Sequence, residues 1–108
     1  MKKYTLSIGL RDGKLAGHPQ IIPTAIARRI VENAMLQRFG GATIQTARGI
    51  YTHENGRAVR EITLVCYIYG AEEQAVKQAA QELARRLRQE SIAYECAEID
   101  SDFIGGGV

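Results

Sequence analysis

Arg48, Tyr51, His53, Arg60 and Glu61 are the side chains of this 108-residue chain whose types and spacing best suit chemistry. A guanidinium can grip a carboxylate or phosphate in a two-pronged fork. An imidazole can shuttle a proton near neutral pH, so His53 beside Tyr51 and Arg60 would furnish one end of a cleft with a general base. All five residues fall in one stretch, and Asn55-Gly56 lies inside it. Asn-Gly between β-rich segments predicts a two-residue type I′ hairpin turn, which needs positive φ at both positions. The hairpin therefore decides which of these groups meet.

With Asn55 and Gly56 as the whole loop, opposed residues sum to 111. Tyr51 then faces Arg60, Gly49 faces Ile62, Ala47 faces Leu64 and Gln45 faces Cys66. The apolar returning strand, Ile62, Leu64, Cys66 and Ile68, assigns this face to the core. The other face pairs Ile50 with Glu61, Arg48 with Thr63, Thr46 with Val65 and Ile44 with Tyr67. Arg48 and Glu61 become diagonal neighbours on it. A bulge near Gly49 would move this phase by one residue. The uncovered face carries Ile44, Ile50, Val65, Tyr67 and Tyr69 around the Arg-Glu pair, an apolar patch of the kind that marks a contact surface.

Less specific readings compete with each of these. Histidines in hairpins and loops, His53 and His18 here, are more often solvated than catalytic. Arg48 and Glu61 equally suit a structural ion pair at a dimer seam. Cys66 and Cys96 have no basic neighbour in sequence to activate them and are expected as small buried hydrophobes without a disulfide. Two thiols alone make a poor zinc site, so no metal is expected. Gly40-Gly41 ends a helical pattern and so is no phosphate loop. No glycine-rich nucleotide fingerprint occurs, and no cofactor is expected.

The elements that must position these groups follow from periodicity. Tyr4, Leu6, Ile8 and Leu10 alternate with Thr5, Ser7 and Gly9, the period of a half-buried strand. Residues 11–22 form a polar loop. From Thr24, expected as an N-cap, Ile26, Ile30, Val31, Ala34, Met35 and Phe39 recur at helical spacing until Gly40-Gly41. After the hairpin of about 43–69, Glu72 to Glu90 reads as a second helix with Val76, Ala79, Ala80, Leu83 and Leu87 buried. Its acids lead and its arginines trail, matching the helix dipole, and Glu73–Lys77 and Glu82–Arg86 add pairs one turn apart. Ile92 to Ile99 is a last strand, and 101–108 a flexible tail. The order βαββαβ predicts an α+β, ferredoxin-like sandwich: a four-stranded antiparallel sheet, first and third strands central, both helices on one face. Residues 1–100 would form this single domain.

Composition narrows the function classes. The apolar share is 45% and the net charge +2, an ordinary globular balance with room for one core. No run of about 18 apolar residues exists, so no membrane helix is expected. The apolar segment after Met1-Lys2-Lys3 is too interrupted for an export signal, which predicts a cytoplasmic protein. Arginine outnumbers lysine ten to four, yet the third strand lacks the aromatic pattern by which sheets of this type bind RNA, and nucleic acid is not expected.

Several motifs also resemble those of an uncharacterised bacterial family, a domain of unknown function. They are Arg38-Phe39-Gly40-Gly41-Ala42-Thr43-Ile44, Ala47-Arg48-Gly49-Ile50-Tyr51, Gly56-Arg57-Ala58-Val59-Arg60-Glu61 and Arg88-Gln89-Glu90-Ser91-Ile92. The resemblance spans about Tyr4 to Ile92, implies the same fold and singles out Gly49, Tyr51, Gly56 and Glu61. It lends no activity. Members of that family tend to carry Trp where Tyr51 stands, and often an export signal.

The expected function is therefore a small homodimeric binding or interaction module, with Arg48, Glu61, Tyr67 and Tyr69 on its open sheet face and a small ligand or protein as partner. A pocket between that face and the loop 11–22 is the rival use of the same surface. A cofactor-independent enzyme of the dimeric α+β barrel kind would use Tyr51, His53, Arg48 and Glu61 as its polar set. A phage or mobile-element protein that blocks a host partner would instead show a charged patch and no pocket.

Overall fold

A computed structural model describes residues 1–11, 19–52 and 54–107. Six elements follow in order: β1 (Lys2–Gly9), α1 (Thr24–Phe39), β2 (Thr43–Thr52), β3 (Ala58–Tyr69), α2 (Glu73–Arg86) and β4 (Ala93–Glu98). The strands form one antiparallel sheet ordered β2-β3-β1-β4, so β1 and β3 are central as expected. The α+β, ferredoxin-like sandwich is thus the observed fold. No helix of the described residues is long and apolar enough to cross a membrane.

Alternation fills the layer between sheet and helices. Tyr4, Leu6 and Ile8 of β1 and Leu64, Cys66 and Ile68 of β3 are buried against Ala27, Val31, Ala34 and Met35 of α1 and Val76, Ala79 and Leu83 of α2. Each large apolar side chain withdrawn from water contributes roughly 1.5–3 kcal/mol. The Tyr4 hydroxyl crosses the core and donates to the Ala71 carbonyl at 2.9 Å.

Helix ends depart a little from expectation. Thr24 is the first helical residue of α1 and makes no cap. The Pro23 carbonyl accepts from the Ile26 and Ala27 amides instead, and the Thr24 hydroxyl accepts from Gln20 Nε2 at 2.9 Å. Gly40 closes α1 at φ 74°, where its missing Cβ removes the left-handed penalty. The α2 helix stops at Arg86, short of Glu90, because Arg88 turns left-handed at φ 58° and the Gln89 amide reaches back to the Ala84 carbonyl. The Glu82 carboxyl bonds Arg38 of α1 and lies 3.8 Å from Arg86, tying the helices together.

The hairpin corrects the expected register. Its last pair is Thr52 with Ala58, leaving residues 53–57 as a five-residue loop, and opposed positions sum to 110. Asn55 does not take positive φ, which a type I′ turn would demand; Gly56 alone does, at 81°. Asn55 Oδ1 instead accepts the Arg57 amide at 2.9 Å, a side-chain turn that consumes more chain. A one-residue slip exchanges every face assignment of one strand. The β3 strand keeps its expected faces, and β2 is inverted. Ile44, Thr46, Arg48 and Ile50 lie on the helix side, while Thr43, Gln45, Ala47, Gly49 and Tyr51 lie on the open side.

Candidate functional site

Small residues hollow out the open sheet face at the end where β1 stops. Gly49 opposes Glu61, Gly9 opposes Thr63, and Ser7 opposes both Val65 and Ala93. This floor of Gly9, Gly49, Ser7, Thr63 and Ala93 lies beneath a cleft of about 650 Å³, walled by Tyr51, Thr52 and Glu54 on one side and Gln89, Glu90 and Ser91 on the other. Clefts of this size hold nucleoside-sized molecules.

Glu61 rises from the middle of the floor. A Cβ on Gly9 would fall 2.4 Å from Glu61 Oε1 and 2.6 Å from Oε2, so the carboxyl group lies directly on the Gly9 backbone. A Cβ on Gly49 would fall 2.8 Å from the Thr63 hydroxyl. A side chain at either glycine would therefore displace its neighbour, the Glu61 carboxyl group or the Thr63 hydroxyl. The Arg11 amide donates to Glu61 Oε2 at 3.3 Å. Arg11 in turn bonds the Arg60 carbonyl through Nε at 2.8 Å, and its own carbonyl accepts from Gln89 Nε2 at 2.5 Å. These bonds clamp the end of β1 between the hairpin and the loop after α2.

The lining is acidic. Glu54, Glu61 and Glu90 contribute carboxyl groups, and Arg11 is the one cation among the described lining residues. A cleft lined by one sign of charge raises the local concentration of ligands of the other sign. The arrangement therefore favours a small cation over an anion. Among the described residues no group of three or more His, Cys, Asp or Glu could hold a metal ion.

The structure divides the residues singled out from the sequence. Glu61 and Tyr51 meet in the cleft. Tyr67 and Tyr69 are on the open face but further along it, where Lys3 Nζ stands 4.7 Å and 5.7 Å from their rings and Tyr67 donates to Gln45. Arg48 and Arg60 are on the opposite side of the sheet, so neither the Arg48–Glu61 pair nor the Tyr51–Arg60 pair forms; the five-residue loop is the reason. His53 and His18 lie outside the described residues. Cys66 is buried as expected, which pushes its thiol up to about 12. Cys96, expected inside, is exposed because β4 is an edge strand. Neither forms a disulfide.

Sequence reasoning missed Gly9, Ser7, Glu54 and Glu90 as parts of one site. A signal was present in the motifs themselves: Gly49, Tyr51, Glu61, Gln89, Glu90 and Ser91 all line this cleft.

No family model and no curated protein matches the chain. Solved structures do. A phage SAM lyase in complex with S-methyl-5′-thioadenosine is 22% identical over 90% of this chain and 80% of its own, with a TM-score of 0.66. CutA1 from Pyrococcus horikoshii is 11% identical over 95% and 87%, with a TM-score of 0.61. The divalent cation tolerance protein Cut A1 from Thermus thermophilus is 14% identical over 95% and 88%, with a TM-score of 0.58. These likenesses establish the fold.

Proposed function

We propose that the open-face cleft binds S-adenosylmethionine and that the chain is a lyase releasing S-methyl-5′-thioadenosine from it. The observation that carries this reading is Glu61, set on a glycine floor inside an acidic, nucleoside-sized hollow. S-adenosylmethionine bears two cationic groups, a sulfonium and an ammonium, and suits such a lining. The likeness to a phage SAM lyase with that product bound supports the same substrate.

The chemistry needs no cofactor. The bond between sulfur and the substrate's Cγ breaks, and its electron pair passes to sulfur, which becomes neutral. The substrate's own carboxylate closes on Cγ to give a lactone, so no water is consumed. The chain orients and binds: Glu61 and Glu90 hold the cationic centres, and the half-exposed Tyr51 ring offers a stacking surface for the purine. The product has lost the sulfonium charge and with it much of its attraction to the acids.

Incubation with S-adenosylmethionine, followed by chromatography, tests the reading. Product accumulates with the wild type, and Glu61→Gln lowers kcat/KM at least about tenfold, chiefly through KM. Binding of the neutral product changes little in Glu61→Gln. Absence of both turnover and saturable binding at millimolar substrate would overturn the proposal.

We also infer that copies of the chain associate. The homodimer expected through the open face has fewer apolar groups than anticipated, since Ile44 and Ile50 lie on the other side. Support comes from Phe103 and Ile104 beyond β4, which are 96% and 93% exposed, an unusual cost for a solitary chain.

A further inference from the structure

The way α2 closes decides where Gln89 goes. The Arg88 amide donates to the Arg85 carbonyl at 3.3 Å and the Gln89 amide to the Ala84 carbonyl at 2.8 Å, the paired bonds of a left-handed helix stop. The left-handed residue is Arg88, at φ 58°, a position that glycine ordinarily takes. The chain leaves the helix there, and Gln89, Glu90 and Ser91 follow along the cleft.

The Gln89 side chain is fixed at its amide end. Nε2 donates to the Arg11 carbonyl at 2.5 Å and to the Leu87 carbonyl at 3.2 Å. Carbonyl oxygens accept only from N–H groups, so the amide has a single orientation, with Nε2 toward the end of β1. Arg11 is also tied to the hairpin, by Nε to the Arg60 carbonyl and by its amide to Glu61 Oε2. Among the described residues that amide is the one hydrogen-bond donor on the Glu61 carboxyl group. A carboxyl group held by one backbone donor keeps its place only while the donor keeps its own.

We propose that Gln89 is a positioning residue for Glu61, acting through the Arg11 backbone. Its amide anchors the Arg11 carbonyl, and the anchored Arg11 amide keeps the Glu61 carboxyl group on Gly9, inside the cleft. The consequence for turnover rests on the lyase reading; the hold on Glu61 does not.

Gln89→Met keeps the side-chain length, removes both N–H donors and adds no titratable group. It raises KM for S-adenosylmethionine about fivefold or more, leaves kcat within about twofold, and has almost no effect in a Glu61→Gln background. An equal effect in both backgrounds would mean that Gln89 acts independently of Glu61, and overturns the proposal. A second measurement needs no substrate. The resonance of an amide bonded to a carboxylate shifts when that carboxylate takes up a proton. In amide NMR of the full chain, the Arg11 signal follows a carboxyl titration that disappears in Glu61→Gln and largely disappears in Gln89→Met, with the other amide signals in place to show an intact fold. Gln89→Asn, one methylene too short to reach Arg11, gives the same loss. An Arg11 titration unchanged by Glu61→Gln, or unchanged by both Gln89 variants, overturns the proposal. If the wild type neither binds nor turns over S-adenosylmethionine, the lyase reading falls alone, and the Arg11 titration still decides the role of Gln89.

Discussion

Gly9 and Glu61 form the contact on which the acidic cleft turns, and it can be probed without touching the carboxyl group. Gly9→Ala introduces a Cβ into the space that both Glu61 oxygens occupy, but the obstructing atoms are the far end of a flexible side chain. The fold is therefore expected to survive with a loss of less than about 1 kcal/mol, while Glu61 is displaced. Thermal melts should show a small shift, and substrate affinity should fall toward that of Glu61→Gln. Wild-type affinity in Gly9→Ala would remove Glu61 from its assigned role. The two thiols give a second test of local environment. Cys96 is exposed, whereas burial holds the Cys66 thiol at about 12. A thiol reagent at pH 8 should titrate one group at once and the second only as the protein unfolds.

At the level of elements, the helices carry a pH dependence of stability. Hydrogen bonding to Arg38 holds the Glu82 carboxyl below its ordinary value, and Lys77 does the same for Glu73. A carboxyl group whose folded pKa is depressed stabilises the fold above the unfolded value of 4.5, and that contribution is lost as pH falls through the folded pKa. The melting temperature should drop on acidification below about pH 4.5, and less steeply in Glu82→Gln. A parallel drop in both proteins would dismiss the Arg38–Glu82 contact. The element order, the central strands and the buried faces of β1, β3 and α2 were legible in the sequence, because each is written as a local period; in α1 the stripe was read slightly rotated, since Ile26, expected inside, is 54% exposed and Ala27 is buried instead. The β2 faces were not. That strand, Thr-Ile-Gln-Thr-Ala-Arg-Gly-Ile-Tyr-Thr, has too weak an alternation to declare its own side, so its assignment rested wholly on the turn. Asn55 prefers a side-chain bond to Arg57 over the left-handed backbone assumed for it. The grouping was half legible for the same reason: Glu61 and Tyr51 do line one cleft, but Arg48 and Arg60 were expected on the same face and lie on the other.

For the whole molecule, the long apolar side chains of the described residues are mostly inside, which makes the exposed pair Phe103 and Ile104 stand out. Light scattering at micromolar concentration should give a mass above one chain for the wild type and closer to one chain for the double variant Phe103→Ser, Ile104→Ser. A wild type that runs as a single chain ends the inference of association.

The length of the segment joining β2 to β3 has a reach well beyond its own atoms. Lengthening or trimming it by one position, if the pairing absorbs the change, rotates β2 half a turn against its neighbour. Arg48 would then swing in beside Glu61 and neutralise it, and Gly49 would vanish from the hollow. Insertions and deletions among positions 53–57 should therefore silence the acidic cleft even though the core beneath stays whole.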